Sequence, residues 1–294
     1  MDSIVDETYI INMDKEIDRL KTFDLRMTSE YDESHQWKYV RMPAINGKDL
    51  KKDVSTVYRT SEDNLQLINC KGTIQPEKIT ELKHRCVKEA NWLTPAETGC
   101  LVSHVFLWEL VAKDPNLNRI IIFEDDARTH TDVITIQRLI CDFYQYLHDN
   151  NIQEPDMLYL GKALDECSKY EHVWKNIYKS YHPLCLHAYL ITKQGAIKLL
   201  KKLPYDAAID MVPIHAISQN LIDVMTFHPS LYFQDIINNV SSLRNLGKAL
   251  NITTECLVQQ QHIHENDFKY IAFVGLAFLA TLILFSLYMF LWHK

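Results

Sequence analysis

Three carboxylates stand in a row at Glu124-Asp125-Asp126, directly after the apolar run Ile120-Ile121-Ile122-Phe123. Like charges this close raise one another's proton affinity, and burial adds to the cost. A divalent cation would relieve both penalties. Oxygen ligands at this density suit Mg2+ or Mn2+, which take one or two protein carboxylates together with substrate phosphates. A solvated acidic loop is the plain alternative. Upstream, Glu97 and His104 are seven apart in what reads as one helix, hence on one face about 10 Å from each other. Either could do acid–base work; Glu97 could equally be a helix cap, and His104 a hydrogen-bonded core histidine. Cys100 and His104 could share a cation, although no further ligand is close to them in sequence. Asp210 interrupts the apolar stretch from Ala207 to Pro213, as the N-cap of a helix beginning at Met211 or as a catalytic carboxylate.

These groups need elements to hold them. Thr94-Pro95-Ala96-Glu97 is a capping box with proline at the first helical position, and it opens a helix to about Ala112 that is apolar nearly all round and therefore buried. Arg119 to Phe123 has the continuous apolar character of a central strand. A helix from about Asp132 to His148, a strand from Met157 to Gly161, a strand from Cys185 to Ile191 and a helix from Lys193 to Lys202 follow. Before them, a strand at Thr8–Met13 leads into a helix from about Asp14 to Glu30. A further strand at Trp37–Met42 ends in the turn Ala44-Ile45-Asn46-Gly47. Residues 50–92 are polar and weakly patterned. Strands alternating with helices imply an α/β domain with a mostly parallel sheet, in which ligands sit at the carboxyl ends of the strands.

Composition removes several alternatives. The 294 residues include only seven glycines, each isolated, so neither a G-x-G-x-x-G loop nor a P-loop is present. A net charge of −7 argues against nucleic acid as the main partner. Gly-x-Ser-x-Gly and His-Glu-x-x-His are both absent, which disfavours serine hydrolases and zinc proteases. Seven cysteines contain no C-x-x-C pair, and they read as small buried hydrophobes in a reducing compartment rather than zinc ligands.

Tyr270 to Trp292 is an uncharged, apolar run of 23 residues, about 34 Å long as a helix and enough to cross a bilayer. The N-terminus has acidic residues and no apolar run suited to a signal peptide. The expectation is a single-pass C-terminal tail anchor with the body in the cytosol, divided into a domain at 1–245, a linker at 246–269 and the anchor at 270–292. The sequons at Asn239-Val240-Ser241 and Asn251-Ile252-Thr253 would fit a lumenal body instead.

The block Leu93-Thr94-Pro95-Ala96-Glu97-Thr98-Gly99-Cys100-Leu101-Val102-Ser103-His104 closely resembles the L-T-x-x-E-x-G-C-x-x-S-H block of glycosyltransferase family 25. Lipopolysaccharide galactosyltransferases and collagen hydroxylysine galactosyltransferases belong to that family. The order of the other pieces agrees: Ile11-Asn12 with Arg19 downstream, Ala44-Ile45-Asn46-Gly47 where the family tends to have A-V-D-G, the acidic triplet, the unit Ala188 to Ala196, and Asp210. The similarity covers roughly residues 8–235.

The resemblance implies a GT-A type nucleotide-sugar-binding fold and transfer of a sugar, galactose ahead of glucose with both open, from a UDP-sugar with inversion at the anomeric carbon. The acceptor would be a hydroxyl on a glycan or protein, collagen-like hydroxylysine included. Glu124-Asp125-Asp126 would be the D-x-D-like element. Asp126 would ligate Mn2+ (or Mg2+), with Glu124 or Asp125 on the metal or the ribose. Candidates for the general base are Asp210, Glu97 and His104, in that order. Asn12, Arg19 and Asn46 are placed by position as nucleotide contacts; Asn46 stands where the family usually has an acid. A degenerate, non-catalytic scaffold tethered to a membrane and a nucleotide-sugar hydrolase are the competing readings.

Overall fold

Apolar residues at alternate positions dictate a sheet covered on both faces. In the strand Arg119–Glu124 (β3), Ile120 and Ile122 point to one side, and Ile121 and Phe123 to the other. All four are fully buried, each contributing roughly 1.5–3 kcal/mol. The computed structural model describes residues 4–32, 36–49 and 93–234. All of these fall in the first of the chain's two units, Met1–Glu255. The stretch 50–92, both sequons, the 245/246 boundary and the 270–292 anchor lie outside the described residues. Among the described residues no helix is long and apolar enough to cross a membrane.

The elements in chain order are β1 (Glu7–Asn12), α1 (Ile17–Arg26), β2 (Val40–Pro43), α2 (Pro95–Lys113), β3, β4 (Ala127–Arg128), α3 (Val133–Asp149), β5 (Met157–Gly161), β6 (Glu171–Trp174), β7 (Ile177–Lys179), β8 (Ala188–Thr192), α4 (Lys193–Leu200), α5 (Met211–Ser218), β9 (Val224–Phe227) and β10 (Phe233–Gln234). Eight strands form one sheet in the order β2-β1-β3-β8-β5-β9-β7-β6, and β4 pairs with β10 in a small ribbon. β1 runs parallel to β2 and β3, and β5 to β9. β8 is antiparallel to β3 and β5, and β7 to β9 and β6. Six strands therefore point one way and β7 and β8 the other. The α/β reading holds, with a mixed sheet whose dominant direction is shared. α2, α4 and α5 bury Val105, Leu199 and Val212 on one face; α1 and α3 bury Phe23 and Phe143 on the opposite face.

Several boundaries differ from the sequence expectation. The first helix stops at Arg26 because Ser29 turns aside to donate to Asp132 Oδ1 at 2.8 Å. Trp37 precedes rather than joins β2; its buried indole donates to Thr8 Oγ1 at 3.1 Å. The last central strand starts at Ala188 rather than at Cys185. Cys185 has φ 70°, a left-handed conformation that no extended strand residue adopts. Among the described residues, Cys100, Cys141 and Cys185 are free thiols.

α2 is positioned at its start by backbone contact. A Cβ on Gly99 would lie 2.3 Å from Ile45 O, and one on Gly47 would lie 1.5 Å from Pro95 O. Only hydrogen fits at either place, so the Ala44–Gly47 turn sits directly on the first turn of α2. The capping box is complete. Thr94 Oγ1 accepts from Glu97 N at 3.2 Å, and Glu97 Oε2 accepts from Thr94 N at 2.9 Å.

Candidate active site

The strand directions bring one rim of the sheet together. β1 and β3 end there, with Ile11 beside Glu124. β5 ends there at Gly161, opposite Ala188. Because β8 is reversed, its beginning reaches the same rim, and Glu124 N donates to His187 O at 2.9 Å. α2 runs beneath and offers Cys100 and His104 to the end of β3.

Each carboxylate of the triplet has its own surroundings. Glu124 Oε1 faces His104 Nε2 at 3.1 Å and Cys100 Sγ at 3.7 Å. Burial pushes the Glu124 carboxyl up, but the hydrogen bonds from His104 and Cys100 oppose it, and the group is held below its usual range. Asp125 accepts from Asn12 Nδ2 at 2.7 Å and is ion-paired with Arg19. Burial still leaves its carboxyl raised, against the pull of Arg19 and Asn12. Asp126 Oδ2 lies 3.3 Å from Arg19 Nη2 and 3.0 Å from Gln234 Nε2. Asp126 Oδ1 is buried without a hydrogen-bond partner. Burial first, then the Glu124 charge, push this carboxyl up to about 7 despite Arg19.

The balance of charge decides what the rim can do. Three acids converge and a single guanidinium answers two of them. The bare Oδ1 of Asp126 and the surplus negative charge are features that a hard divalent cation would answer, and Asp126 and Glu124 could offer it oxygen atoms. Cys100, His104 and Glu124 also place one ligand atom each within 4.8 Å of one another, a grouping that the sequence separates by 20 residues or more on the Glu124 side.

His104 belongs to a longer chain. Its Nδ1 is 2.9 Å from Tyr189 Oη, which also receives Trp108 Nε1–H at 2.9 Å. Asp210 immediately precedes α5, yet its side chain makes no capping bond. Its charge helps raise the thiols of Cys100 and Cys185, whose burial is the larger cause, so Asp210 lies on the same side of the fold. Glu97 stands at the start of α2 with its carboxylate in the capping box, about 10 Å along the helix from His104.

Of the residues expected to touch nucleotide, Asn12 is buried and fully used. Its amide nitrogen donates to Asp125 and to Glu16 O, and its oxygen accepts from Arg41 Nε at 2.9 Å. Arg19 pairs with the acids themselves. Asn46 Oδ1 accepts from Lys48 N at 3.1 Å, fixing the turn that precedes α2. Sequence reasoning missed Gln234, Trp108, Tyr189 and His187. Gly161 is what admits His187, since a Cβ there would lie 2.4 Å from its Nε2. No motif marks them: Trp108 lies on α2, His187 just before β8, Tyr189 on β8 and Gln234 on β10, all apart in sequence from the acids.

Comparison with known proteins adds an independent line. The model of the family described as "Glycosyltransferase family 25 (LPS biosynthesis protein)" matches residues 5–212. A Haemophilus influenzae protein named "Putative glycosyltransferase" is 30% identical over 129 residues, 40% of this chain and 41% of the relative. The chain thus spans less than half the length of that curated relative. Among solved structures, the crystal structure of A197 from STIV aligns with a TM-score of 0.26 at 12% identity, over 45% of this chain and 63% of that one. That likeness is too slight to carry an argument.

Proposed function

The chain belongs to glycosyltransferase family 25, and from that premise we propose that it transfers a sugar, galactose first, from a UDP-sugar to a hydroxyl on a glycan or protein, with inversion and with Mn2+ or Mg2+ at the acidic triplet. The observation that carries this reading is Asp126, whose buried Oδ1 lacks a partner beside two further carboxylates and one guanidinium. Asp126 and Glu124 are the proposed cation ligands. When bound, the cation neutralises charge on the departing diphosphate. Arg19 and Asn12 hold Asp125 in place and keep the acids from repelling one another apart. Asp210, on the same side of the fold as Cys100, is the proposed base that takes the acceptor hydroxyl proton.

The test is a screen of UDP-sugars with Mn2+ against glycan and hydroxylysine-peptide acceptors, read by mass spectrometry. Transfer of hexose to one acceptor is expected. Failure of the purified protein to bind UDP in the presence of Mn2+ would sink the proposal, and sugar released only to water would make it a hydrolase.

The proposed setting is a membrane, with residues 270–292 as the tether and the body on the cytosolic side. A lumenal body is the second reading, favoured by the sequons at Asn239 and Asn251. Glycans on Asn239 or Asn251 decide for the lumen.

A further inference from the structure

The indole N–H of Trp108 can donate but never accept. It lies 2.9 Å from Tyr189 Oη, so the tyrosine oxygen is the acceptor there. The other partner of that hydroxyl is His104 Nδ1, also at 2.9 Å. Trp108, Tyr189 and His104 are all fully buried. A hydroxyl proton stranded in such surroundings costs about 1–3 kcal/mol, so it goes to Nδ1, which must be the bare nitrogen of a neutral ring. The ring proton then sits on Nε2 and is donated to Glu124 Oε1 at 3.1 Å. Cys100 Sγ converges on the same oxygen from 3.7 Å. Donation runs in one direction from Trp108 to Glu124, and it occupies both lone pairs of one carboxylate oxygen. The Glu124 side chain remains 21% exposed, which leaves Oε2 to face the rim.

We propose that Trp108 and Tyr189 are positioning residues of the transferase site: they fix His104 as an Nε2–H donor that clamps one oxygen of Glu124 and leaves the other for the cation of the sugar donor. The proposal rests on the transferase reading above. His104 in this arrangement is not the general base, because its Nε2 already carries a proton and its Nδ1 is turned inward onto Tyr189. The trio Cys100, His104 and Glu124 is held together by protons rather than by a cation of its own.

The test is nitrogen NMR of the full chain with labelled histidine, the His104 ring being assigned by the signals lost in His104→Gln. A neutral ring protonated on Nε2 is expected, and Tyr189→Phe should turn it into a mixture of tautomers. Turnover gives a second readout. Glutamine can donate an amide proton from nearly the Nε2 position but cannot act as a base. His104→Gln should therefore keep at least about tenfold more activity than His104→Ala, and Tyr189→Phe should raise the KM for Mn2+ by about 10-fold or more with an unchanged circular dichroism spectrum. The proposal is overturned by an imidazolium or an Nδ1–H ring at His104, by added Zn2+ displacing the Nε2 proton, or by a folded His104→Gln as inactive as His104→Ala. If the wild-type chain turns over no UDP-sugar, the functional reading fails, while the tautomer still decides the relay.

Discussion

Arg19 Nη2 and Asp126 Oδ2 meet at 3.3 Å, although one sits on α1 and the other just past β3. The same guanidinium pairs with Asp125. One positive charge is thus divided between two buried acids, and Asp126 keeps an oxygen with no partner. An arrangement of this kind is tolerable without a cation only because a proton can take its place.

That proton sets a pH dependence. The Asp126 carboxyl is raised from 3.8 to about 7 in the fold, so between these values the folded chain binds more proton than the unfolded one. Its contribution to stability is complete at low pH and is lost as pH rises through about 7. The metal-free protein should lose thermal stability between pH 5 and 8, and Mn2+ should restore more of it at pH 8 than at pH 5. Asp126→Asn should flatten both trends and abolish Mn2+-dependent turnover. Melting curves of the variant with an unchanged slope against pH would refute this account of the site.

Asp210 offers a cleaner kinetic test. A general base contributes about 10²–10⁴-fold, so Asp210→Asn should lower kcat by that order while UDP still binds with Mn2+. Loss of UDP binding in step with turnover would assign Asp210 to the donor instead.

Glu97 is separable from Asp210 through its cap. Glu97→Gln keeps an oxygen that accepts from Thr94 N; Thr94→Ala and Glu97→Ala each remove part of the capping box, worth about 1 kcal/mol. Their effects on melting temperature should be coupled rather than additive, because the two side chains act on each other. Turnover of Glu97→Gln should fall no further than that of Thr94→Ala. A much larger kinetic loss would restore Glu97 as a catalytic candidate.

Gly99→Ala and Gly47→Ala probe the footing of α2. Each adds a methyl where backbone oxygen already lies at 2.3 and 1.5 Å respectively, and overpacking of this kind costs about 1–3 kcal/mol or more. Both should lower the melting temperature, Gly47→Ala the more, and the survivors should show weakened Mn2+ dependence because His104 rides on the displaced helix. Wild-type stability in either variant would mean that the turn does not rest on α2.

The parts legible in sequence were those fixed by local chemistry. The capping box at Thr94, the buried helix behind it and the end of β3 at Glu124 depend on residues within a few positions of each other. The direction of β8 was not legible, since a buried strand has the same apolar run whichever way it enters the sheet. Its start was misplaced by three residues because nothing in the letters Cys185-Leu186-His187 announces a left-handed backbone. Arg19 was found for its position yet stands on the acids, and Asn12 is spent on holding Asp125. Trp108 and Tyr189 looked like ordinary core aromatics; their polar ends matter only once α2 lies across β8.

The reversal of β8 bears on how such a chain can diversify. The connection from Gly161 to Ala188 leaves and returns at one rim, so it owes no fixed length to a crossover, unlike the link between two parallel strands. The stretches on either side of β6 and β7 can lengthen or shrink while β3, β8 and β5 keep their register. Variation in length is thereby confined to residues ahead of His187, whose carbonyl accepts from Glu124 N at 2.9 Å and holds the end of β3.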